Sequence, residues 1–168
     1  MAGDMLRLPI VRRMPDIVAP HVRSRMMSGI RGKDTKPELL IRKALHSMGF
    51  RFRLHSCNVP GKPDLIFPRY RAAIFVNGCF WHGHDCALFK MPDTRRPFWE
   101  AKIESNRARD AKVADLLSQQ GWRQLTIWEC AFRGVRKIGI DSTIERTADW
   151  LRSDIAKGEV RSLRNEEP

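Results

Sequence analysis

The chain has 168 residues, and its 31 Lys and Arg against 19 Asp and Glu give a net charge of +12 at pH 7. This length is typical of one domain, and a hydrophobic content of 42% is too high for a disordered basic tail. The longest apolar run falls far short of the ~20 residues of a membrane span, and the N-terminus has no signal-peptide pattern. We therefore expect a folded cytoplasmic protein with a polyanionic partner such as nucleic acid, and no membrane partner.

The positive charge is concentrated in residues 1–71, which carry +10 of the +12. Residues 1–22 combine basic residues with three prolines and no hydrophobic period, which indicates a basic, flexible N-terminal arm. A disordered segment that only aids solubility is the alternative interpretation. From Arg23 to Arg71 basic residues are interleaved with apolar positions, so this segment belongs to the fold. Residues 23–157 are expected to form the domain and residues 158–168 a polar C-terminal tail.

The first half of the chain predicts one helix followed by three strands. Thr35 and Glu38 have the spacing of a capping box, and the helix that they begin ends near Gly49. Three apolar residues alternate with basic ones after it and predict a half-buried strand, namely Phe50, Phe52 and Leu54. The turn Val59–Pro63 then brings Asp64 to the start of the strand Leu65–Phe67. The apolar run Ala72–Val76 predicts a central strand that is covered on both faces.

The second half predicts two helices around a fourth strand. A long helix starts near Thr94, and its apolar face carries Trp99, Ile103, Val113 and Leu117, with Asn106 and Asp110 on the same inward face. The strand Leu125–Trp128 follows it. The last helix is expected to begin at Ser142, with Glu145 in a capping box, and to bury Ile144, Ala148, Leu151 and Ile155. This order of elements predicts an α/β sandwich on one mixed sheet flanked by helices.

Cysteine and histidine residues form a compact pattern after the central strand. Cys79, His84 and Cys86 lie in one short loop, and Cys130 follows the fourth strand, so three thiolates and one imidazole could form a tetrahedral structural zinc site. The alternative is a group of buried free thiols beside a surface histidine. Spacing alone does not separate His84 from His82 as the nitrogen ligand. Cys57 has no partner in the pattern and is interpreted as a buried or half-exposed thiol.

Two carboxylates lie near the ends of predicted elements. Asp64 could cap a turn, and Glu38 could serve only the capping box. In nucleases that use Mg²⁺, however, an Asp at a strand end binds the metal, and a neighbouring strand supplies a second oxygen. Asp64 and the end of the strand at Val76 are suitably placed for that arrangement.

Six stretches form a distinctive pattern, namely Pro63-Asp64, Ile74 to Cys86, Phe98-Trp99, Asn106, Arg109-Asp110 and Trp128-Glu129-Cys130. This pattern closely resembles the Vsr family of very-short-patch repair mismatch endonucleases over about residues 23–155. The resemblance implies a zinc-bearing, restriction-endonuclease-like (PD-(D/E)xK) fold. It also implies Mg²⁺-dependent nicking of duplex DNA 5′ of the T in a T:G mismatch, the lesion left when 5-methylcytosine deaminates.

The resemblance also implies roles for individual residues at the active site. Asp64 corresponds to the Mg²⁺-binding aspartate, and the carbonyl oxygen of Val76 to the second metal ligand. His82 corresponds to the histidine beside the scissile phosphate, and Glu38 to the acidic residue near the metal water. Asn77 departs from the pattern, because the best-known members have a second active-site histidine there. The zinc ligands correspond to Cys79, His84, Cys86 and Cys130, which leaves His82 for acid–base chemistry.

The resemblance further implies how the protein contacts DNA. Phe80 and Trp81 correspond to the aromatic wedge that enters the base stack beside the mismatch, although aromatic residues are more often part of a core. Residues 23–31 resemble the segment that closes on the opposite groove, with Met27 as a second apolar wedge. Arg25 and Lys62 are the expected basic contacts to DNA. Two inward-facing residues of the long helix are expected to support the active site, namely Asn106 and Asp110.

The expected partner is double-stranded DNA with a T:G mismatch, bound by a monomer in the bacterial cytoplasm at the nucleoid. Other mismatch-repair proteins and a repair polymerase are further candidate partners. One alternative function is that of a related restriction or phage-defence nuclease with relaxed mismatch specificity. Another is a zinc-held DNA-binding module without catalysis.

Overall fold

In the computed structural model, residues 21–22, 34–54 and 58–163 are described. The chain divides into two compact units, Met1–Arg31 and Gly32–Pro168. Of the first unit only His21 and Val22 are described, and both are helical. Within the described part of the chain, no helix has the length and apolar character needed to cross a membrane.

A four-stranded sheet in the order β1-β2-β3-β4 forms the centre of the second unit. The strands are β1 (Leu65–Phe67), β2 (Ala72–Asn77), β3 (Arg123–Trp128) and β4 (Lys157–Val160). β1 runs antiparallel to β2, whereas β2, β3 and β4 are mutually parallel. The prediction of an α/β fold with one mixed sheet is therefore confirmed.

Two helical layers cover this sheet. On one face, α1 (Lys36–Ser47) and α3 (Ile140–Arg152) enclose the larger core, which includes Leu65, Ile74 and Ile127. On the other face, the long helix α2 (Arg96–Gln119) contributes Leu117 to a smaller core with Ile66 and Ala73. Successive residues of β1 and β2 thus point into different cores, as the pleat requires. The prediction that the Ala72–Val76 strand is covered on both faces is confirmed.

Two corrections concern the segment after α1 and the start of α2. The predicted strand from Phe50 onward is wrong, because among the described residues 50–54 only Arg53 pairs, through an isolated antiparallel bridge to Ile66. Phe50 is buried in the core, but Leu54 is 43% exposed. The predicted long helix begins two residues later than expected, at Arg96.

The end of the domain also differs from the prediction. The last helix begins at Ile140 rather than at Ser142, because Gly139 with φ 92° takes the N-cap position. Ala148 and Leu151 are buried as expected, but Ile155 lies beyond the helix and is 56% exposed. Residues 158–160, which were placed in a polar tail, belong to β4 instead. β4 pairs with β3 and contributes Val160 to the larger core.

Candidate active site and metal cluster

A cleft of about 760 Å³ opens where α1, α2 and the carboxyl ends of β2 and β3 meet. Since β2 and β3 are parallel, their last residues Asn77 and Trp128 lie side by side in register at this edge. The cleft brings together six of the residues that the sequence singled out for the active site and DNA contacts, namely Glu38, Lys62, Asp64, Val76, Asn77 and His82. Asn106 and Asp110 of α2 also line it.

Asp64 enters the cleft from the turn before β1. Its backbone N–H donates to the Ile74 carbonyl (3.0 Å), which continues the pairing of the two strands by one residue. Its carboxylate accepts a hydrogen bond from the Val76 backbone N–H (2.7 Å). The side chain is therefore fixed beside β2, and Asp64 and Val76 are in direct contact at the position where a second metal ligand was expected.

A glycine allows the turn before Asp64 to pack against α2. Gly61 has φ 78°, a conformation that side chains with a Cβ rarely adopt. A Cβ at this position would overlap the Val113 side chain of α2. The close approach of turn and helix thus determines where Asp64 lies, directly before β1.

Glu38 occupies the first turn of α1 and is buried. Three donors hold its carboxylate: the Thr35 hydroxyl (2.8 Å), the Asp34 backbone N–H (2.9 Å) and the Arg42 guanidinium (3.0 Å). The predicted capping box is wrong in its detail, because the Thr35 hydroxyl makes no capping bond to the helix backbone and donates to Glu38 instead. Arg42 also pairs with Asp34 (2.5 Å). This network holds the Glu38 carboxylate in a fixed position at the edge of the cleft.

His82 pairs through Nδ1 with the carboxylate of Asp110 on α2. An ionised carboxylate only accepts hydrogen bonds, so Nδ1 carries the proton and Nε2 remains for other chemistry. The inward-facing position expected for Asp110 therefore places it against His82. Nothing in the residue pattern specified this partner, because the loop and the helix are far apart in sequence.

Asn106 and Arg109 join α2 to the same loop. The Asn106 side-chain amide donates to the Trp81 carbonyl (2.7 Å), and its oxygen accepts from Arg109 (2.5 Å). The buried amide thus has partners on both sides, as a buried polar group requires. Through these contacts α2 fixes the backbone between Trp81 and His82.

Cys79, His84, Cys86 and Cys130 form a second constellation, which we call the Cys/His cluster. Their ligand atoms all lie within 4.8 Å of one another, so the four residues could hold a metal ion. His84 Nδ1 lies 3.6 Å from Cys130 Sγ. His82 is paired with Asp110 instead, so the structure brings His84 to the cluster.

The environment of the Cys/His cluster changes the acidity of its members. Burial, together with the nearby positive charge of Arg161, lowers the pKa of His84 to about 4. His84 is therefore neutral at pH 7, the form in which an imidazole binds a metal. Burial also raises the pKa of the Cys79 thiol, so the proton must leave when a cation binds.

Close packing against α2 shapes the loop that carries the cluster. Gly83 has φ 58°, and a Cβ there would lie 2.6 Å from the Ile103 methyl Cγ2. Arg107 donates to the His82 carbonyl (3.0 Å) and to the Gly83 carbonyl. Hydrogen bonds from α2 to the backbone carbonyls of the loop thus hold the loop against the helix.

Phe80 and Trp81 are half-buried in an aromatic group on this loop. Phe80 packs edge-to-face on Trp99 of α2 (5.1 Å between ring centroids) and on Trp81 (5.3 Å). Phe98, next to Trp99, is 50% exposed. The expected wedge residues therefore rest on the helix and keep part of their surface accessible.

Three residues with sequence-based expectations lie outside the described residues, namely Arg25, Met27 and Cys57. The same holds for the segment 23–31. Lys62 is described and exposed, with φ 53° in the turn that leads to Asp64.

Comparisons with known proteins define the class to which this fold and cleft belong. The sequence profile of the family described as DNA mismatch endonuclease Vsr matches residues 15–88. The chain is 39% identical to the DNA mismatch endonuclease Vsr of Escherichia coli K12 over 147 residues, which cover 88% of this chain and 94% of that protein. It is 46% identical to the type II nicking enzyme V.XorIIP of Xanthomonas oryzae pv. oryzae, over 70% of this chain and 86% of that one. The chain belongs to the Vsr family of DNA mismatch endonucleases.

Proposed function

We propose that this chain is a Mg²⁺-dependent repair endonuclease that nicks one strand of duplex DNA 5′ of the T in a T:G mismatch. The observation that carries the proposal is the cleft, where Asp64, Glu38 and His82 converge beside the Cys/His cluster. Membership in the Vsr family and a charge of +12 support DNA as the substrate. The four-stranded mixed sheet agrees with a restriction-endonuclease-like fold, and action as a cytoplasmic monomer is part of the proposal.

Asp64 and the carbonyl oxygen of Val76 are the proposed Mg²⁺ ligands. Carboxylate and carbonyl oxygens are ligands that Mg²⁺ prefers, and the Val76 N–H already orients the Asp64 carboxylate (2.7 Å). When bound, the cation would lower the pKa of a water molecule and offset charge on the phosphate. The chain's contribution is to hold both oxygen donors at the end of β2.

His82 is the proposed acid–base group. Asp110 holds its Nδ1 proton, so Nε2 is the nitrogen that exchanges a proton with the reacting water or the leaving oxygen. Asn77, at the end of β2, can donate a hydrogen bond to phosphate but does not exchange a proton near pH 7. In this chain proton transfer therefore depends on His82, whereas the pattern of the family's best-known members has a second histidine.

Glu38 is proposed to orient water rather than to accept its proton. Three hydrogen-bond donors hold its carboxylate in one orientation. Its fixed position at the edge of the cleft still allows it to accept one more hydrogen bond.

The Cys/His cluster is proposed to bind structural Zn²⁺. Three sulfur atoms and one neutral imidazole are a typical zinc ligand set, and the separations of up to 4.8 Å are compatible with tetrahedral coordination. Because Phe80 and Trp81 lie between Cys79 and His84, a rigid cluster would hold both side chains in place. We propose that they enter the base stack beside the mismatch, where unstacking costs least.

Relatives named type II nicking enzymes favour one alternative function. In that case the same chemistry would serve a restriction or defence system with relaxed mismatch specificity. A DNA-binding module without catalysis is a weaker alternative, because binding alone does not require a carboxylate such as Asp64 in the cleft.

A nicking assay on end-labelled duplexes tests the proposal. T:G and C:G duplexes of one sequence are incubated with the protein and either Mg²⁺ or EDTA. We expect one nick, 5′ of the mismatched T, only with Mg²⁺ and only in the T:G duplex. Asp64→Asn should abolish it, because the amide lacks the negative charge that binds the cation.

Asp115→Asn is the matched control, because Asp115 lies exposed on α2 outside the cleft. This variant should cut like the wild type. Equal cutting of the T:G and C:G duplexes would favour the restriction or defence alternative. Full activity of Asp64→Asn would overturn the assignment of the metal site.

A further inference from the structure

Trp128 lies between the two constellations of the site. It ends β3, directly before Glu129 and Cys130, and it lines the cleft. Its indole stacks on the His84 imidazole with 3.9 Å between ring centroids and 14° between ring planes. The edge of the His82 ring approaches the same indole at 5.9 Å and 73°. One side chain therefore contacts both the proposed acid–base group and a residue of the Cys/His cluster.

β4 fixes the orientation of this indole. Trp128 Nε1 donates a hydrogen bond to Glu159 of β4 (3.1 Å). Glu159 also pairs with Arg161 (3.6 Å). This hydrogen bond holds the indole in one orientation beside the two histidine rings.

The residues that follow β4 contact the Cys/His cluster. Arg161 donates to the Asp85 carbonyl, between His84 and Cys86. The Ser162 backbone N–H lies 3.4 Å from Cys130 Sγ and donates to it. A continuous path of contacts thus runs from the indole through Glu159 and Arg161 to the backbone of the cluster. Such contacts around metal ligands orient them and tune metal affinity.

We propose that Trp128 is a positioning residue that ties His82 to the Cys/His cluster, so that a metal bound at the cluster sets the position of His82 in the cleft. Stacking on Trp128 limits the tilt of His84, and the edge contact limits the tilt of His82. Asp110 also restrains His82, through its contact with Nδ1. The inference rests on the proposed function for the role of His82, but the expected effect of Trp128 on zinc release can be measured without DNA.

The experiment compares Trp128→Leu with Trp128→Phe in the zinc-loaded full chain. The first measurement is the rate at which a chromophoric chelator removes zinc without DNA, and the second is kcat and KM for nicking. We expect Trp128→Leu to release zinc about tenfold faster and to lose about tenfold in kcat, within the range for outer-shell partners of metal ligands. KM should change little, because Trp128 is not proposed to bind DNA. Trp128→Phe keeps an aromatic ring and should therefore retain most of the slow zinc release and most of the kcat of the wild type.

Trp122→Leu is the matched control. Trp122 is a half-buried indole that packs against the smaller core and does not line the cleft. Its removal should leave zinc release and kcat unchanged. If Trp122→Leu reproduced both effects, they would reflect general destabilisation, and the proposal would be overturned.

Three other outcomes would also contradict the proposal. Unchanged zinc release and kcat in Trp128→Leu would show that Trp128 positions neither histidine. A loss of kcat with normal zinc release, or fast zinc release with normal kcat, would break the link between them. If the wild type cut T:G and C:G duplexes equally, mismatch specificity would fail, but kcat on either duplex would still test Trp128.

Glu159→Ala tests the same link if Trp128→Leu does not fold. The Glu159 side chain is 43% exposed, so its removal should be tolerated. Loss of the acceptor for the indole N–H should speed zinc release and lower kcat in parallel, each by about threefold, less than removal of the ring. Normal values for both in this variant would overturn the proposal.

Discussion

The pairing of His82 with Asp110 joins a loop residue to a residue 28 positions later on a helix. Asp110 and Asn106 are one helical turn apart on α2, and both contact the backbone or side chains of the same loop. The sequence predicted that both would face inward and need partners. It could not name the partners, because the eight-residue loop from Cys79 to Cys86 has no period from which its path follows.

At the residue scale, Asp110→Asn should lower kcat for nicking by about 100-fold, the lower end of the range for general acid–base catalysis. The amide no longer stabilises a protonated imidazole, and it can hold His82 in the wrong tautomer. KM should stay nearly constant. The assay is single-turnover nicking of the T:G duplex at saturating protein.

Asp115→Asn removes the same charge from an exposed position on the same helix and is the control for long-range electrostatics. If both variants lost activity equally, the effect would come from the charge of α2 rather than from contact with His82. Wild-type activity of Asp110→Asn would contradict a positioning role for Asp110.

At the scale of elements, the turn before β1 determines where Asp64 lies. Gly61→Ala should lower the free energy of unfolding by about 2 to 4 kcal/mol, from the left-handed backbone and the overlap with Val113 together. Gly49→Ala is a matched control, since Gly49 has φ 89° but open space around it. Its cost should be only about 1 to 2 kcal/mol, from the backbone alone. Urea unfolding measures both.

The double variant Gly61→Ala, Val113→Ala separates strain from overlap. It should recover part of the stability lost in Gly61→Ala, because the smaller side chain makes room for the new methyl group. Equal stability of the Gly61→Ala and Gly49→Ala proteins would show that the turn does not pack tightly on α2.

Hydrophobic periodicity predicted the elements that bury a continuous apolar surface. β2 and α2 were predicted to within two residues at the ends that begin them, β2 from an unbroken apolar run and α2 from apolar positions at helical spacing. β4 was missed, because Lys157–Val160 contains one buried residue and its pairing with β3 is a tertiary interaction. The predicted strand after α1 failed for the opposite reason, since Phe50 and Phe52 pack against the core, but the described pairing with β1 is limited to the one bridge between Arg53 and Ile66.

The candidate site was predicted best where chemistry restricts the residue type. Cysteine spacing selected three of the four residues that the fold brings within 4.8 Å, and the resemblance to the Vsr family selected His84 over His82 as the fourth. Glu38 was recognised as a helix-end residue, but Arg42, which contributes to holding it, carried no signal beyond helical spacing. Trp128 was noted only within a motif, because its contacts with two histidines depend on the parallel pairing of β2 and β3.

At the scale of the whole molecule, the Cys/His cluster joins the loop after β2 to the turn after β3. Metal analysis should find about one zinc per chain, and Cys130→Ser should lose it together with several kcal/mol of stability, since metal binding at such sites contributes to folding. Thermal unfolding of the purified proteins with and without a chelator measures the second effect.

Cys57→Ser is the control, because Cys57 has no partner in the predicted ligand pattern. It should retain the metal and the unfolding temperature of the wild type. Full zinc content in Cys130→Ser would remove Cys130 from the ligand set, and loss of zinc in Cys57→Ser would add a residue that the pattern excludes.

The positive charge of the whole molecule should raise its affinity for DNA but should not affect its choice of the mismatched duplex. Residues 1–71 hold +10 of the +12, and Lys62 and Arg109 line the cleft. Phosphate contacts are the same in T:G and C:G duplexes, whereas mismatch selection depends on the base stack. Each phosphate contact should contribute about −0.9 to the slope of log affinity against log salt concentration. We expect steep slopes that are equal for the two duplexes, measured with Asp64→Asn so that the DNA stays intact. A T:G affinity that resists salt while C:G affinity falls would show that charge takes part in selecting the lesion.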